Sequence, residues 1–213
     1  MIKYRDYIKS IYSKEMSFSL RDENQKEYET RLENGFVINN YFITAAHVVE
    51  NRDPFIKVDD RIIGLSCDNL VIWRDMTKFR DPSNFDYVHC QSNDYYNQDN
   101  GDIAVYRIDG IKSPFILSKE MPAIGDSLVS YYYYKNRWHK ASASVYEVKG
   151  NFFDCIMQPI HPTEGGSSGS PVIKNNIVYG LVSGGYVADK RICQCTSACF
   201  INKLLSQIDT NGN

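Results

Sequence analysis

The chain has little of the features that mark membrane, nucleic-acid-binding and disordered proteins. No apolar run approaches the roughly 18 residues that a membrane-spanning helix needs. The formal net charge of −2 provides no attraction for nucleic acid or for an anionic membrane surface. Of 213 residues only 13 are glycine and 7 are proline, and 23% are charged, which is an ordinary globular composition. We therefore expect a soluble globular protein with no membrane span and no nucleic-acid partner.

The amino terminus lacks the apolar segment of a secretory signal. Its first residues, MIKYRDYIKSIYSKE, carry charges at Lys3, Arg5, Asp6 and Lys9, whereas a signal peptide needs an uninterrupted apolar stretch. Without export, the six cysteines are expected to be reduced. This predicts a cytoplasmic or virion-associated protein, and secretion is the weaker alternative.

Three of the cysteines, Cys193, Cys195 and Cys199, fall in the segment CQCTSAC. Their spacing is not a common zinc-binding spacing, and no second Cys/His pair lies nearby in the sequence. Free cysteine is among the residue types most often buried. Buried structural thiols are therefore favoured over a metal site or a disulfide, and neither a metal nor a cofactor is predicted.

The chain does have many aromatic residues, 16 tyrosines and 10 phenylalanines, and these favour β-strands. Two hairpins are indicated by turn residues between apolar runs. The first joins Phe36–Ile38 to Tyr41–Ala45 through Asn39-Asn40, and the second has Asn175-Asn176 at its turn. Further strands are predicted in the segments DIAVYRI, DSLVSYYYY and ASASVYEVKG.

Both ends of the chain show helical periodicity. Apolar residues recur at near-helical spacing over residues 2–12, and INKLLSQI places its apolar residues on one helical face. Many short strands with terminal helices predict an all-β barrel or sandwich. The length allows one large domain or two small ones, with a boundary near residues 110–125.

The segment TEGGSSGSPVI centres on Ser168. A serine hydroxyl is a poor nucleophile at neutral pH, so it needs a base, a group that orients the base, and donors for the oxyanion. Gly165, Gly166 and Gly169 surround Ser168, and glycines allow backbone angles that aim N–H groups into one concavity. The N–H groups of Gly166 and Ser168 are the natural donor pair.

Four histidines are candidates for the base. His47 ends the apolar strand ITAAHVV, where two alanines allow other groups to approach closely. His161 lies shortly before Ser168 and could line the same cleft. His89 and His139 lie in polar, aromatic segments more typical of a surface.

An aspartate is the expected orienting group, because a carboxylate accepts from an imidazole N–H and favours the imidazolium that forms. Asp102 opens the apolar strand DIAVYRI, where it can be buried at the mouth of the strand. Asp94 and Asp99, in the polar loop over residues 91–101, are the alternatives.

Together these segments resemble a known family. TAAHVV, GDIAVYRI and GGSSGSPV are similar, in this order, to the three motif blocks of the trypsin/chymotrypsin-like serine proteases. TAAHVV and DIAV are most similar to the Deg-type (high-temperature-requirement) branch, and GSSGSPV also resembles the glutamyl endopeptidases. The resemblance covers roughly residues 30–206.

The resemblance implies two six-stranded antiparallel β-barrels, chymotrypsin-like, with the active site between them and short helices at both termini. The implied division is an amino-terminal helical segment over residues 1–16, a barrel with His47 and Asp102 over 17–118, and a barrel with Ser168 plus the carboxy-terminal helix over 119–213.

The resemblance also assigns roles to individual residues. His47 is implied as the general base, Asp102 as its orienting group and Ser168 as the nucleophile, with the oxyanion bound by the N–H groups of Gly166 and Ser168. Ser183 corresponds to the family serine that hydrogen-bonds the buried aspartate. Ser183, Gly184 and Gly185 would form the edge strand that pairs with a substrate backbone.

The departures from the family pattern concern activation and specificity. Ser167 stands where trypsin-like zymogens carry an aspartate, so activation by a new amino terminus is not expected. The specificity pocket would be lined by His161, Pro162 and Thr163 together with the edge strand and the segment 196–198. Pro162 at the pocket base disfavours Arg or Lys, and Val182, where glutamyl endopeptidases have His, removes support for a Glu preference. We expect an uncharged side chain at the cleavage site.

The predicted function is therefore a serine endopeptidase that acts through an acyl-enzyme on a protein or peptide substrate. The alternative is a catalytically silent trypsin-like fold with a structural or peptide-binding role, for example in a virion. A cysteine nucleophile is disfavoured because no cysteine occupies the nucleophile position of GGSSGSP. No peptide-binding domain of the Deg type is expected after the last helix, and the oligomeric state stays open.

Overall fold

The computed structural model describes residues 4–17, 26–49, 54–74, 101–159, 166–185 and 191–211. These residues form mainly β-strands. The strands are β1 (Ile8–Ser17), β2 (Lys26–Ile38), β3 (Tyr41–Thr44), β4 (Pro54–Val58), β5 (Arg61–Gly64), β6 (Leu70–Arg74), β7 (Ile103–Arg107), β8 (Ile116–Leu117), β9 (Ser127–Tyr134), β10 (Arg137–Lys149), β11 (Phe152–Gln158), β12 (Pro171–Lys174), β13 (Ile177–Gly185) and β14 (Ile192–Ser197). The α-helices are α1 (Ala46–Val49) and α2 (Ala198–Asn211), and short 3₁₀ turns lie at Tyr4–Asp6 and Cys67–Asn69.

The strands form two sheets from separate parts of the chain. The first has the order β5-β4-β1-β2-β3-β7-β6 and the second the order β12-β9-β10-β11-β14-β13-β8. β12 also pairs with β13, which closes six strands of the second sheet into a barrel, and β8 joins β13 in parallel. The predicted all-β, two-barrel architecture is confirmed. Among the described residues the first sheet differs from the predicted barrel, because it has seven strands and no closing pair.

The two predicted hairpins are present, and their turns have a local cause. β2 pairs with β3 from Ile38↔Tyr41 onward, and β12 pairs with β13 from Lys174↔Ile177. Asn39 and Asn175 have φ values of 48° and 56°, and asparagine tolerates this left-handed region better than most residues. The predicted strands over DIAVYRI, DSLVSYYYY and ASASVYEVKG correspond to β7, β9 and β10.

The predicted amino-terminal helix is wrong. Residues 8–17 form β1, which pairs with β2 on one side and with β4 on the other. The register between the two strands shifts between Ser10 and Tyr12, where β2 has one residue more than β1, so the bulge lies in β2. Ile8 and Ile11, three positions apart, are both buried, and this spacing resembles that of a helix face. The helix predicted at the other end is present as α2.

The cysteines divide into two groups. Cys155, Cys193 and Cys195 are free and buried in the core of the second barrel, so two of the three CQCTSAC cysteines are buried thiols as predicted. The third, Cys199, is free but only partly buried. Burial raises the pKa of the Cys193 thiol to about 12, which keeps it protonated and unreactive at neutral pH. Cys67 is disulfide-bonded, which corrects the expectation that all six cysteines are reduced. The pairing could not be anticipated, because it depends on which segments the fold brings together.

Within the described parts of the chain, no helix has both the length and the apolar character needed to cross a membrane. The division of the chain into domains at residues 16 and 118 stays a prediction, although β1 belongs to the first sheet and β8 to the second.

Candidate active site

Sheet pairing brings His47 and Asp102 together although 55 residues separate them. β3 runs antiparallel to β7, with Thr44 opposite Ala104. The chain leaves β3 into the short helix α1, which carries His47, and Asp102 immediately precedes β7. The two side chains therefore emerge at the same end of neighbouring strands.

The imidazole and the carboxylate make a short, oriented contact. His47 Nδ1 lies 2.7 Å from Asp102 Oδ2, and the backbone N–H of His47 donates to Asp102 Oδ1 at 3.1 Å. The aspartate side chain is 1% exposed, whereas that of His47 is 41% exposed. A carboxylate can only accept, so Nδ1 carries the proton and Nε2 is left as the proton acceptor. This is the tautomer that a general base needs.

Behind Asp102 lies a hydroxyl that the sequence analysis did not identify. The Asp102 N–H donates to Thr196 Oγ1 at 3.3 Å, and Thr196 Oγ1 lies 2.6 Å from Ser183 Oγ. Ser183 thus reaches the aspartate only through Thr196, which corrects the direct contact implied for it. Thr196 has no motif of its own, because a threonine in a buried strand looks like a packing residue.

The Ser168 loop is held by both sheets. The Ser168 carbonyl accepts from the backbone N–H of Asn34 in β2 at 3.1 Å, and the Gly169 N–H donates to Val182 O in β13 at 2.8 Å. Ser168 itself is partly buried. The loop therefore stands where the two barrels meet.

Two glycines in the loop have conformations and surroundings that no other residue fits. Gly166 has φ +105°, and a Cβ built on it would lie 2.1 Å from the ring of Tyr134. Gly169 has φ +75°, and its Cβ would lie 2.0 Å from the Asn34 carbonyl oxygen and 2.5 Å from Thr44 Oγ1. Close packing of the backbone, rather than flexibility, explains these glycines.

We predict that Gly169→Ala destabilises the protein more than the matched change Gly125→Ala. Gly125 also has a positive φ, +90°, but nothing lies within 4 Å of a Cβ there. Gly125→Ala therefore measures backbone strain alone, about 1–2 kcal/mol. Gly169→Ala adds overlap with backbone, about 1–3 kcal/mol more. Urea unfolding of both variants measures the difference, and equal losses would contradict the packing geometry.

Asn34 is a second residue that the sequence analysis missed. Its side chain is fully buried, donates through Nδ2 to Gly166 O at 2.8 Å, and accepts at Oδ1 from the Tyr133 N–H at 3.0 Å. The neighbouring Arg31 donates to Tyr133 O and lies 4.4 Å over the Tyr133 ring. β2 of the first sheet is thereby attached to β9 and to the Ser168 loop of the second.

Glu33 lies in β2 between Arg31 and Asn34, and its carboxylate contacts the proposed oxyanion donors directly. The Gly166 N–H donates to Glu33 Oε1 at 2.6 Å. Burial raises the pKa of Glu33, and the Gly166 N–H, the charge of His47, the charge of Arg31 and the Ser168 N–H oppose that shift, in decreasing order. The Glu33 carboxylate thus contacts the loop around Ser168 and lies within the electrostatic influence of His47.

The remaining predicted site residues are only partly described. Ser183, Gly184 and Gly185 lie at the end of β13, where Gly184 pairs with Gln194 and Gly185 with Cys193 of β14. His139 stacks on Tyr132 at 5.1 Å and contacts Tyr134 O through Nε2 at 3.1 Å, so it belongs to the second barrel's own packing. The others lie outside the described residues: His89, Asp94, Asp99, His161, Pro162, Thr163 and Gly165.

No family model matches the chain, and no curated protein matches its sequence. Its structure is similar to the active form of the Rv3671c protease from M. tuberculosis, with TM-score 0.61 and 19% identity over 95% of this chain and 81% of that one. It is also similar to the HtrA-type protease AlgW with a decapeptide (TM-score 0.65, 15% identity, 98% and 68% covered). A human pathogenic astrovirus serine protease has TM-score 0.54 and 16% identity over 92% and 91%. The chain thus has the chymotrypsin-like fold of these proteases.

Proposed function

We propose that the protein is a serine endopeptidase with His47, Asp102 and Ser168 as its catalytic residues. The observation that carries the proposal is the 2.7 Å contact between His47 Nδ1 and the buried Asp102 carboxylate, which puts the ring proton on Nδ1 and makes Nε2 the proton acceptor. Glu33 accepts the Gly166 N–H and the charge of His47 lowers its pKa, which supports placing this base near the serine loop.

The first half of the reaction forms an acyl-enzyme. Ser168 Oγ attacks the carbonyl carbon of the scissile peptide bond, and His47 Nε2 takes the hydroxyl proton. Asp102 stabilises the resulting imidazolium, while the Gly166 and Ser168 N–H groups bind the oxyanion. His47 then gives its proton to the leaving amine nitrogen, the carbon–nitrogen bond breaks and the ester with Ser168 remains.

The second half releases the new carboxyl terminus. A water molecule attacks the ester carbonyl while His47 accepts one of its protons, and the same N–H groups bind the second oxyanion. The carbon–oxygen bond to Ser168 then breaks, and His47 returns the proton to Ser168 Oγ. No cofactor takes part in either half.

A protein or peptide is the substrate class that the site supports. The end of β13, with Ser183, Gly184 and Gly185, lies beside the Ser168 loop through the Gly169–Val182 hydrogen bond, and an extended peptide could add to this strand by backbone pairing. The structurally similar HtrA-type protease AlgW has been solved with a decapeptide, which is consistent with a peptide ligand. His161, Pro162 and Thr163 are proposed to complete a pocket for an uncharged side chain.

A second candidate function is a catalytically silent fold that serves structure or peptide binding. The specific observation that favours it is the Glu33 carboxylate at the Gly166 N–H, where a substrate oxygen would bind. A folded protein whose serine cannot be acylated, even when Glu33 is removed, would select this candidate.

The test of the proposed function is intact mass after incubation with a fluorophosphonate. Ser168 Oγ displaces fluoride from the phosphorus and keeps the phosphonyl group. We expect one adduct on the wild type, and none on Ser168→Ala or His47→Ala. An adduct that persists in Ser168→Ala would contradict the assignment of the nucleophile.

We predict that the labelling rate falls as the pH drops below about 6–7 because a protonated imidazole cannot act as a base. The pseudo-first-order rate of adduct formation between pH 5 and pH 9 measures this dependence. A rate that stays constant down to pH 5 would exclude His47 as the base.

A further inference from the structure

Glu33 contacts the Gly166 backbone N–H, a group that a serine protease needs unoccupied so that it can bind the substrate oxygen. Glu33 Oε1 accepts the Gly166 N–H at 2.6 Å, between residues 133 positions apart in the chain. A charge-assisted hydrogen bond of this kind is among the stronger polar contacts in proteins. The Gly166 N–H is also one of the two donors proposed for the oxyanion. A carboxylate oxygen of the protein itself therefore stands where the substrate oxygen would bind.

The Ser168 N–H also favours the charged form of this carboxylate, and it thereby lowers the pKa of Glu33. Both proposed donors thus interact with the same side chain. The other carboxylate oxygen, Oε2, is buried and has no hydrogen-bond partner among the described residues. Leaving a buried charged oxygen unpaired is unfavourable, so the contact is strong at one oxygen and incomplete at the other.

The strand that carries Glu33 also holds the loop that Glu33 contacts. The next residue, Asn34, donates from its side chain to Gly166 O at 2.8 Å and from its backbone to Ser168 O at 3.1 Å. The Asn34 carbonyl in turn accepts from Thr44 Oγ1 at 2.8 Å. Because these bonds fix β2 against the loop, Glu33 is presented to the Gly166 N–H by a rigid element.

We infer that Glu33 is a built-in competitor for the oxyanion hole, so that the resting enzyme is latent until substrate or a partner displaces this carboxylate. The inference rests on the proposed function, since it needs Gly166 and Ser168 to be the oxyanion donors. In the latent state the Gly166 N–H is already bonded and cannot stabilise a tetrahedral intermediate.

Three charged groups among the described residues face or support this contact. His47 belongs to α1 and Arg31 to the strand of Glu33 itself, and the charges of both favour the carboxylate, whereas burial disfavours it and has the larger effect. Asp102 stands behind His47. Lowering the pH therefore has two opposed effects on activity. It neutralises Glu33 and weakens the hydrogen bond from the Gly166 N–H, which favours activity, and it protonates His47, which stops catalysis. Activity against pH cannot separate them, so the test compares variants at one pH.

The first experiment compares fluorophosphonate labelling rates of the wild type, Glu33→Gln, Glu33→Ala and the control Glu120→Gln at pH 8. Glu120 is an exposed carboxylate outside the site. Since a charged hydrogen bond is lost, we expect Glu33→Ala to react about tenfold faster or more than the wild type. Glu33→Gln, whose neutral oxygen is a weaker acceptor, should lie between them, and Glu120→Gln should equal the wild type.

If the wild type reacts and the Glu33 variants react equally fast or more slowly, the inference is overturned while the proposed function stands. Slower reaction would mean that Glu33 supports the loop rather than blocks it. If the wild type is inert and Glu33→Ala reacts, the wild type is fully latent, and both the proposed function and the inference on Glu33 stand. If every form is inert while folded, the proposed function fails and the inference fails with it.

The second experiment needs no catalysis. The Gly166 amide proton resonance of ¹⁵N-labelled protein is followed by NMR between pH 4 and pH 8 in the wild type and in Glu33→Gln. A hydrogen bond to a carboxylate should move this resonance upfield as Glu33 gains a proton, and Glu33→Gln should lack that step but keep any step that His47 causes. The same pH dependence in both proteins would show that Glu33 does not occupy the donor, whatever the labelling shows.

Discussion

Replacing Ser168 with alanine should reduce peptide hydrolysis by at least about 10⁴-fold, because no other group can form the acyl-enzyme. The folded state should change little. Ser168 is partly buried, and its contacts with Asn34 and with the rest of its loop are made by the backbone. We expect the melting temperature to shift by no more than about 2 °C, the change that roughly 0.5–1 kcal/mol produces in a chain of this size.

Ser170→Ala is the matched control for this prediction. Ser170 lies two positions further along the same loop and is fully buried, and its hydroxyl has no hydrogen-bond partner in the described part of the chain. Removing an unpaired buried hydroxyl should leave turnover unchanged and stability unchanged or higher. Turnover and melting temperature of both variants separate a chemical role from a structural one. A large fall in melting temperature for Ser168→Ala with residual turnover would mean that Ser168 is structural.

Replacing Asp102 with asparagine should lower kcat/KM by about 10⁴-fold while the fold is retained. The amide side chain of the Asp102→Asn variant would keep an oxygen for the backbone N–H of His47, which donates to Asp102 Oδ1 at 3.1 Å. Its amide nitrogen would then face His47 Nδ1, where Asp102 Oδ2 stands at 2.7 Å. An amide N–H can only donate, so Nδ1 must become the acceptor and Nε2 must carry the proton. In that tautomer His47 cannot take the proton of Ser168.

The control is Asp154→Asn, which changes another buried aspartate. Asp154 lies in β11, faces Lys149 at 3.6 Å and is separated from β13 by β14. Asp154→Asn should leave kcat/KM unchanged. ¹⁵N NMR of the His47 ring should show the proton on Nδ1 in the wild type and on Nε2 in Asp102→Asn. Unchanged turnover together with a changed tautomer would refute the assignment of His47 as the base.

Much of the fold could be predicted because its signals are local. Alternating apolar residues indicated β7, β9 and β10, and paired asparagines indicated the turns at Asn39 and Asn175, whose positive φ values follow from side-chain chemistry. Three motif blocks then suggested His47, Asp102 and Ser168. The first two lie in contact, and the third lies in a loop shaped by glycines with positive φ.

The amino-terminal strand was mispredicted for a reason that is also local. Ile8 and Ile11 are both buried although they lie three positions apart. Their spacing is then compatible with a helix as well as with a strand. Only pairing with β2 and β4 decides between the two, and pairing partners are not encoded in periodicity.

The amino-acid order alone was enough for β7, β9, β10, the two asparagine turns and the candidate catalytic residues, because propensity, alternation and motif residues act over a few neighbouring positions. The roles of Asn34, Thr196 and Glu33 were decided only by the tertiary structure. Glu33 looks like an ordinary polar residue of a strand until the meeting of the two sheets brings it to Gly166, 133 positions away. Contacts of that range depend on how the sheets close and pack, and no local pattern in β2 specifies them.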